Sequence, residues 1–236
     1  MPQLLSTRNV LLSARPLTVG VIAEAADLPI WVAMPPSEQE RTCDLIELRL
    51  DTLKLSPEDI RVALSQNTLP VILTARHPAE GGHAPEDAAS RMSMLEPLLD
   101  LAELVDVELR SAMDMRTLVQ KAHATGARVL GSFHDFQATP GEEVLRGALN
   151  FAQPAGLDAV KIATYINNVD DLNRLMSLTA EPHRLRLSCM GMGPWGRVSR
   201  LALAKSGSLL NYGCIGKANA AGQWPAARLK ELLAEI

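Results

Sequence analysis

The sequence alternates short runs of buried-strand character with segments of helical periodicity, and this alternation recurs along most of its 236 residues. Each strand-like run is rich in aliphatic side chains, as expected of a parallel strand that is covered on both faces. Between most of the runs, apolar residues return every three or four positions, which is typical of a helix with one buried face. The predicted strands are 30–34, 44–51, 70–76, 104–110, 128–136, 159–164, 184–190 and 209–216.

Eight such β/α units predict a (β/α)8 barrel, also called a TIM barrel, which typically takes about 250 residues. An open, doubly wound sheet is the structural alternative, but no GxGxxG motif follows the first predicted strand. No linker, repeat or low-complexity segment divides the chain. We therefore predict a single α/β barrel domain over residues 1–236, in which residues 1–29 form a short N-terminal extension that packs on the barrel.

The composition excludes several classes of protein. With a formal net charge of −4, the chain has no overall positive charge to attract nucleic acid or an anionic membrane. Its three cysteines form no CxxC pair, which argues against a disulfide framework and against a cysteine-ligated zinc site. Arg8 and Arg15 interrupt the apolar runs near the start, and charges break every longer apolar stretch. We therefore expect a cytoplasmic protein without a signal peptide, a membrane span or a nucleic-acid partner.

Charged side chains interrupt the aliphatic strands near their carboxyl ends, where the catalytic groups of such barrels lie. A charge inside a strand is unfavourable unless it is paired, hydrogen-bonded or shifted in pKa. We therefore expect these groups to converge at one mouth of the barrel. They are Glu47, Arg49, Asp51, Arg76, Glu108, Arg110, His134 and Lys161, with Arg200, Asn219 and Gln223 in later loops.

Lys161 stands out among these residues because Val160 and Ile162 flank it directly. Burial and nearby arginines would both lower the pKa of its ammonium and so favour the neutral amine. A neutral amine can attack a ketone and form a Schiff base. The pattern fits equally well a structural ion pair with Glu47 or Glu108, and the sequence pattern leaves both interpretations open.

His134 follows an apolar run and could act as a general acid and base near neutral pH, or be a core histidine bonded to the backbone. Arg49, Arg76 and Arg200 suit a substrate that carries a carboxylate or phosphate, because a guanidinium binds such groups with two parallel hydrogen bonds. Pairing with nearby acids is the alternative. The other histidines show no HxxxH or HExxH spacing, so we expect no metal site.

Eight short motifs occur in register with the predicted strands. They are ELRLD at 47–51, TAR ending at Arg76, EGG at 80–82, DVEL at 106–109, SFHDF at 132–136, VKIAT at 160–164, MGxxGxxSR at 192–200 and AGQ at 221–223. With these motifs the chain resembles the type I 3-dehydroquinate dehydratases of the shikimate pathway. The resemblance covers about residues 30–233, which is nearly the whole chain.

The resemblance implies a (β/α)8 barrel, commonly a homodimer, that uses no metal or cofactor. It implies a carbon–oxygen lyase that converts 3-dehydroquinate to 3-dehydroshikimate. In this family pattern, Lys161 forms a Schiff base with the C3 ketone of the substrate. His134 takes the C2 proton and later protonates the departing C1 hydroxyl, and Glu80 lies near this acid–base group.

The resemblance also implies a set of substrate contacts. Arg200 matches the arginine that binds the substrate carboxylate. The ring hydroxyls and the ketone side are held by groups that match Glu47, Arg49, Arg76 and Gln223, and the apolar wall matches Phe136, Met190 and Tyr212. The chain departs from its relatives after the last strand, where they often have Ser-Ala-Pro-Gly-Gln and this chain has Asn219-Ala220-Ala221-Gly222-Gln223. Asn219 keeps the capacity to donate and accept hydrogen bonds.

Two other functions remain open at this point. A class I aldolase is also a barrel with a Schiff-base lysine on the sixth strand, although it would favour a clearer phosphate site after strands 7 and 8. A non-catalytic binding or regulatory homologue is the other alternative, and the altered loop at Asn219 is its support.

Overall fold

The computed structural model describes residues 10–218 and 221–236 of the chain. Within these residues, eight strands form one sheet. The strands are β1 Leu17–Ile22, β2 Leu45–Arg49, β3 Val71–Thr74, β4 Leu104–Glu108, β5 Arg128–Asp135, β6 Ala159–Tyr165, β7 Arg186–Met192 and β8 Leu210–Cys214. The α-helices are α1 Asp27–Ala33, α2 Pro36–Thr42, α3 Leu50–Leu53, α4 Pro57–Ala63, α5 Ala88–Leu95, α6 Arg116–Thr125, α7 Glu142–Ala152, α8 Val169–Ala180, α9 Gly196–Lys205 and α10 Ala226–Ala234.

The sheet closes on itself. Neighbouring strands pair in parallel from β1 to β7, and β1 also pairs in parallel with β8. At the remaining gap, the Leu209 N–H donates to the Leu187 carbonyl at 3.0 Å. The Ser188 hydroxyl accepts from the Leu210 N–H, also at 3.0 Å. The predicted (β/α)8 barrel is thereby confirmed.

The predicted first strand at 30–34 is wrong, because these residues lie at the end of α1 and just after it. Ile30 and Val32 are 47% and 44% exposed, whereas both faces of a barrel strand are covered. Pro29 stands in the first turn of α1, a position where proline fits a helix. An apolar run of five residues was therefore not enough to distinguish a strand from a short helix.

The true first strand, β1, lies at Leu17–Ile22, inside the segment that we predicted as an extension. All six of its residues are buried, and it joins β8 to β2. The predicted boundary at residue 29 is therefore incorrect, because this part of residues 1–29 belongs to the barrel wall. The other seven strands agree with the prediction to within a few residues.

Side chains alternate in direction along each strand, so residues two apart share a face. Near the start of β2, β3, β4 and β5, the inward residues are apolar and belong to one core inside the barrel; they are Leu45, Ile72, Leu104 and Leu130. The second and third inward positions, two and four residues later, are polar on several strands. This arrangement gives the barrel an aliphatic base and a charged mouth. Those polar positions include Glu47 and Arg49, Thr74 and Arg76, Asp106 and Glu108, and Ser132 and His134.

The described residues contain no helix that is long and apolar enough to cross a membrane. Over the same residues, no cluster of three or more His, Cys, Asp or Glu side chains is arranged to hold a metal ion. Cys43, Cys189 and Cys214 are free thiols and are buried.

Candidate active site

A pocket opens at the carboxyl ends of the strands. The catalytic and substrate-binding residues that the resemblance implies all line it within the described ranges, whereas Asn219 lies outside the described residues. The predicted residues in the lining are Glu47, Arg49, Arg76, Glu80, His134, Phe136, Lys161, Met190, Arg200, Tyr212 and Gln223. The structure thus brings together side chains that the sequence spreads over more than half of the chain.

Lys161 lies at the floor of this pocket and is 4% exposed. Its Nζ is 3.1 Å from Asp106 Oδ2 and 3.4 Å from Glu47 Oε1. The same atom lies 4.2 Å from the centroid of the Tyr212 ring, within the range of a cation–π contact. The predicted ion pair is therefore present, with Glu47 and Asp106 as partners. An ammonium held this closely has a defined position relative to anything that enters the pocket.

Arg76 and Asp106 form the centre of a buried charge network beside Lys161. Arg76 contacts Asp106 Oδ2 at 2.7 Å and Glu108 Oε1 at 2.9 Å. The Ser132 hydroxyl donates to Asp106 Oδ1 at 2.6 Å. Burial by itself would raise the pKa of Asp106, but the Arg76 guanidinium and the Lys161 ammonium hold it well below its usual range. Asp106 therefore stays ionised and keeps a fixed negative charge beside Lys161.

Replacing Asp106 with Ala is expected to lower the free energy of unfolding by about 3–5 kcal/mol, because buried partners are left without their counter-charge. Urea denaturation followed by circular dichroism measures this change. Asp100→Ala is the matched control, because Asp100 pairs with Arg61 at the surface and its side chain is 58% exposed. This control is expected to change stability little. An Asp106→Ala protein as stable as the wild type would contradict the prediction.

His134 and Glu80 form a buried pair at the side of the pocket. Nδ1 of His134 lies 2.8 Å from Glu80 Oε2, and the same oxygen accepts the His134 backbone N–H at 3.0 Å. Burial, together with the charges of Arg76 and Lys161, lowers the pKa of His134 well below its usual value. The imidazole is therefore neutral at pH 7. If Nδ1 donates its proton to Glu80, Nε2 carries a free lone pair and can act as a base.

The pKa of Glu80 is shifted in the opposite direction to that of His134. Its burial raises the pKa to about 7; the Glu108 and Asp106 charges add to this rise and Arg76 opposes it. The Glu80 carboxyl therefore titrates near neutral pH, where the imidazole beside it is already neutral. The EGG motif explains the position of Glu80, because a Cβ on Gly82 would collide with the Arg76 carbonyl. Glycine allows the loop to fold back against Arg76, just after β3, and place Glu80 beside His134.

Arg200 is a buried cation on α9 at the edge of the pocket. Its Nη1 donates to the Gly191 carbonyl at 2.7 Å and its Nε to the Tyr212 carbonyl at 3.0 Å. Burial lowers the pKa of Arg200 to about 10, so the guanidinium remains charged at neutral pH. Within residues 10–218 and 221–236, no carboxylate lies within ion-pair distance of it. A pocket with such a cation on its wall suits an anionic ligand.

The other arginines of the pocket have acidic partners. Arg49 binds Asp51 through two hydrogen bonds of 2.9 and 2.8 Å. Asp51 also accepts the His83 N–H at 3.0 Å, which ties the loop after β3 to the end of β2. Together with the Arg76 network, this confirms the predicted internal pairing for two of the three arginines.

Gln223 reaches the pocket through a close contact between two loops. Gly222 has a φ of +76°, and a Cβ on Gly196 would lie 2.9 Å from the Gly222 Cα. The glycines of the MGxxGxxSR and AGQ motifs therefore let the segment after β8 pack on the start of α9. Gln223 is buried beneath this contact. Of the apolar wall, Phe136 is 44% exposed at the rim, whereas Met190 and Tyr212 are buried.

Sequence reasoning missed some residues of the site and included three that do not line the pocket, namely Asp51, Glu108 and Arg110. Asp51 and Glu108 instead pair with the lining residues Arg49 and Arg76. Asp106, the nearest carboxylate to Lys161, could have been found because it shares a strand face with Glu108. Val21 was missed because β1 was misplaced. Arg110 was expected at the barrel mouth, but it lies in the turn after β4, is exposed and does not line the pocket. Other lining residues that were not predicted are Gly81, Ala163 and Met192.

Comparisons with known proteins agree with this geometry. Residues 35–236 match the family model described as type I 3-dehydroquinase. The chain is 30% identical to the 3-dehydroquinate dehydratase of Methanococcoides burtonii over 200 residues, which cover 82% of this chain and 85% of the relative. It is 32% identical to the enzyme of the same name from Methanothermobacter thermautotrophicus over 195 residues, with the same two coverages. The crystal structure of the 3-dehydroquinate dehydratase from Aquifex aeolicus VF5 superimposes with a TM-score of 0.79 and 27% identity, over 93% of this chain and 98% of that one.

Proposed function

The chain belongs to the type I 3-dehydroquinase family, and we propose on that basis that it dehydrates 3-dehydroquinate to 3-dehydroshikimate through a Schiff base on Lys161. The observation that carries this proposal is the convergence of three groups in one pocket. These are a buried amine, a neutral imidazole paired with a carboxyl, and a buried guanidinium that contacts only backbone carbonyls among the hydrogen bonds described above.

The first step joins Lys161 to the substrate. Nζ bonds to the C3 carbonyl carbon and the carbonyl oxygen leaves as water, so that the ammonium and the ketone become a cationic imine. Asp106 and Glu47, at 3.1 and 3.4 Å from Nζ, then lie beside this cation and stabilise it. The carboxylates that pair with Lys161 in the free protein thus also stabilise the covalent intermediate. The structural and the catalytic interpretations of Lys161 are therefore compatible.

The second step is the loss of water from the ring. The imine withdraws electrons from the C2–H bond, and the neutral imidazole of His134 takes the C2 proton. The electron pair passes into an enamine and returns to expel the C1 hydroxyl, which leaves as water with the proton that His134 carries. Hydrolysis of the imine by a water molecule then releases the product and restores the Lys161 ammonium. Glu80 holds the imidazole in position throughout.

The remaining pocket residues are proposed to recognise the substrate. Arg200 binds the carboxylate, and Phe136 and Met190 cover the apolar part of the ring. Glu47, Arg49, Arg76 and Gln223 are proposed to hold the hydroxyls and the ketone side. The family also supports a place in the shikimate pathway, a cytoplasmic location and a homodimer that needs no metal or cofactor, and we include these in the proposal.

A direct assay tests the proposed function. The purified protein is mixed with 3-dehydroquinate, and the absorbance of the conjugated enone of 3-dehydroshikimate is followed. We expect product to accumulate in proportion to the protein concentration. If high protein concentrations gave no product, the lyase would be excluded and a non-catalytic homologue favoured. If the protein instead cleaved a carbon–carbon bond of a sugar phosphate, an aldolase would be indicated.

Replacing Arg200 with Met is expected to raise KM for 3-dehydroquinate by about 10- to 100-fold, because a hydrogen-bonded charge pair with the substrate carboxylate is lost. Steady-state kinetics measure this change. The methyl ester of the substrate serves as the matched control, since it lacks the carboxylate charge. The ester should bind the wild type and the Arg200→Met variant equally weakly. A variant that still discriminated the acid from the ester would show that another group binds the carboxylate.

A further inference from the structure

The hydroxyl of Tyr212 is buried at the floor of the pocket and has no hydrogen-bond partner within the described residues. Tyr212 lies on β8, is 3% exposed and lines the pocket. Other side-chain atoms in the same unpartnered state belong to Gln39, Arg91 and Asn211, none of which lines the pocket. Leaving a buried hydroxyl without a hydrogen-bond partner is energetically unfavourable. An unpartnered polar group inside a pocket is therefore explained most directly by a bound ligand that supplies the missing hydrogen-bond partner.

The position of Tyr212 relative to Lys161 indicates which ligand atom this is. Nζ of Lys161 lies 4.2 Å from the centroid of the Tyr212 ring. A carbon that bonds to Nζ is therefore held near the same ring, which carries the unpartnered hydroxyl at its edge. Burial raises the pKa of Tyr212 well above its usual value, and the Glu47 and Asp106 carboxylates add to this rise. The phenol therefore keeps its proton and is available as a donor.

We propose that the Tyr212 hydroxyl positions the substrate by donating a hydrogen bond to the carbonyl oxygen that Lys161 attacks. This inference rests on the proposed function, and it gives Tyr212 a polar role in addition to its part in the apolar wall. The hydrogen bond would hold the carbonyl over Lys161 and polarise it while the Nζ–carbon bond forms. Because the oxygen then leaves as water, the effect of Tyr212 is confined to formation and hydrolysis of the imine.

Tyr212→Phe tests the proposal by removing a single oxygen atom. In the free protein the variant is expected to unfold at the same temperature as the wild type or slightly higher, because the lost hydroxyl had no partner. The rate of forming the adduct, trapped with borohydride and measured by mass spectrometry, is expected to fall about tenfold, with a similar fall in kcat/KM. Tyr165→Phe is the matched control, since Tyr165 is the other tyrosine of the chain and does not line the pocket. This control should match the wild type in every measurement.

The possible results separate clearly. If Tyr212→Phe formed the adduct at the wild-type rate, the assignment of Tyr212 would be overturned while the proposed function stood. A lowered unfolding temperature that accounted for the lost activity would show a structural role and would also overturn the assignment. A wild-type protein that neither dehydrated the substrate nor formed an adduct would instead overturn the proposed function, and the role of Tyr212 with it.

Discussion

Lys161→Ala is expected to lower the rate of dehydration by more than about 10⁴-fold, because the variant has no amine to form the imine. Incubating the wild type with 3-dehydroquinate and borohydride should add the mass of the reduced adduct to the peptide that contains Lys161. The Lys161→Ala protein should gain no mass under the same conditions. Enone absorbance measures the rate, and peptide mass spectrometry measures the adduct.

Two further variants separate the nucleophile from the ion pair. Lys161→Arg keeps a positive charge between Asp106 and Glu47, but a guanidinium does not form the imine. We expect it to retain more stability than Lys161→Ala and to be equally inactive. Lys205→Ala is the control, since Lys205 lies on the surface and donates to the Ile236 carbonyl. An active Lys161→Arg protein, or an adduct on another lysine, would refute the proposed role of Lys161.

His134→Ala is expected to lower turnover by about 10²- to 10⁴-fold, while the imine can still be trapped. The physical reason is that Lys161 binds the substrate without the imidazole, whereas removal of the C2 proton requires a base. The imidazole is suited to this step, because burial and two nearby cations keep it neutral at pH 7. Parallel measurements of product formation and borohydride adduct distinguish the two steps.

The control for His134 is another histidine that is paired with an acid. His123 lies 2.8 Å from Asp158 and is more exposed, away from the pocket. His123→Ala should therefore leave both turnover and adduct formation unchanged. If His134→Ala retained most of its turnover, another base would be responsible. If it lost the adduct together with the turnover, His134 would instead be needed for forming the imine.

Much of the fold could be predicted because a barrel strand has a local signature. Seven of the strands are aliphatic runs bounded by turns, and each lies close to its predicted position. The first strand is the exception, because the segment IWVAM at 30–34 is as apolar as the true strand at Leu17–Ile22. Nothing local distinguishes a short helix with one buried Trp31 from a strand; the difference lies in which segment pairs with β8 and β2. That pairing joins residues nearly 200 positions apart along the chain.

Part of the candidate site could likewise be predicted from the sequence, and part could not. A lysine between Val160 and Ile162, or a histidine after an apolar run, is recognisable locally because a charge or an imidazole is unusual there. The partners of these groups are not recognisable locally. Asp106 approaches Lys161 across 55 positions of sequence, and Arg200 is enclosed by carbonyls from two strands.

The chemical identity of the groups at the barrel mouth, and the strands that carry them, follow from the amino-acid sequence, because both depend on short segments. Three properties depend on closure of the barrel. These are the neutral state of His134, the carboxylates that hold Lys161, and the unpartnered hydroxyl of Tyr212. Each arises from burial or from groups on other strands, and none of the three exists until β1 and β8 complete the wall. Closure therefore turns a near-neutral aliphatic chain into one with a concentrated group of charges at a single mouth.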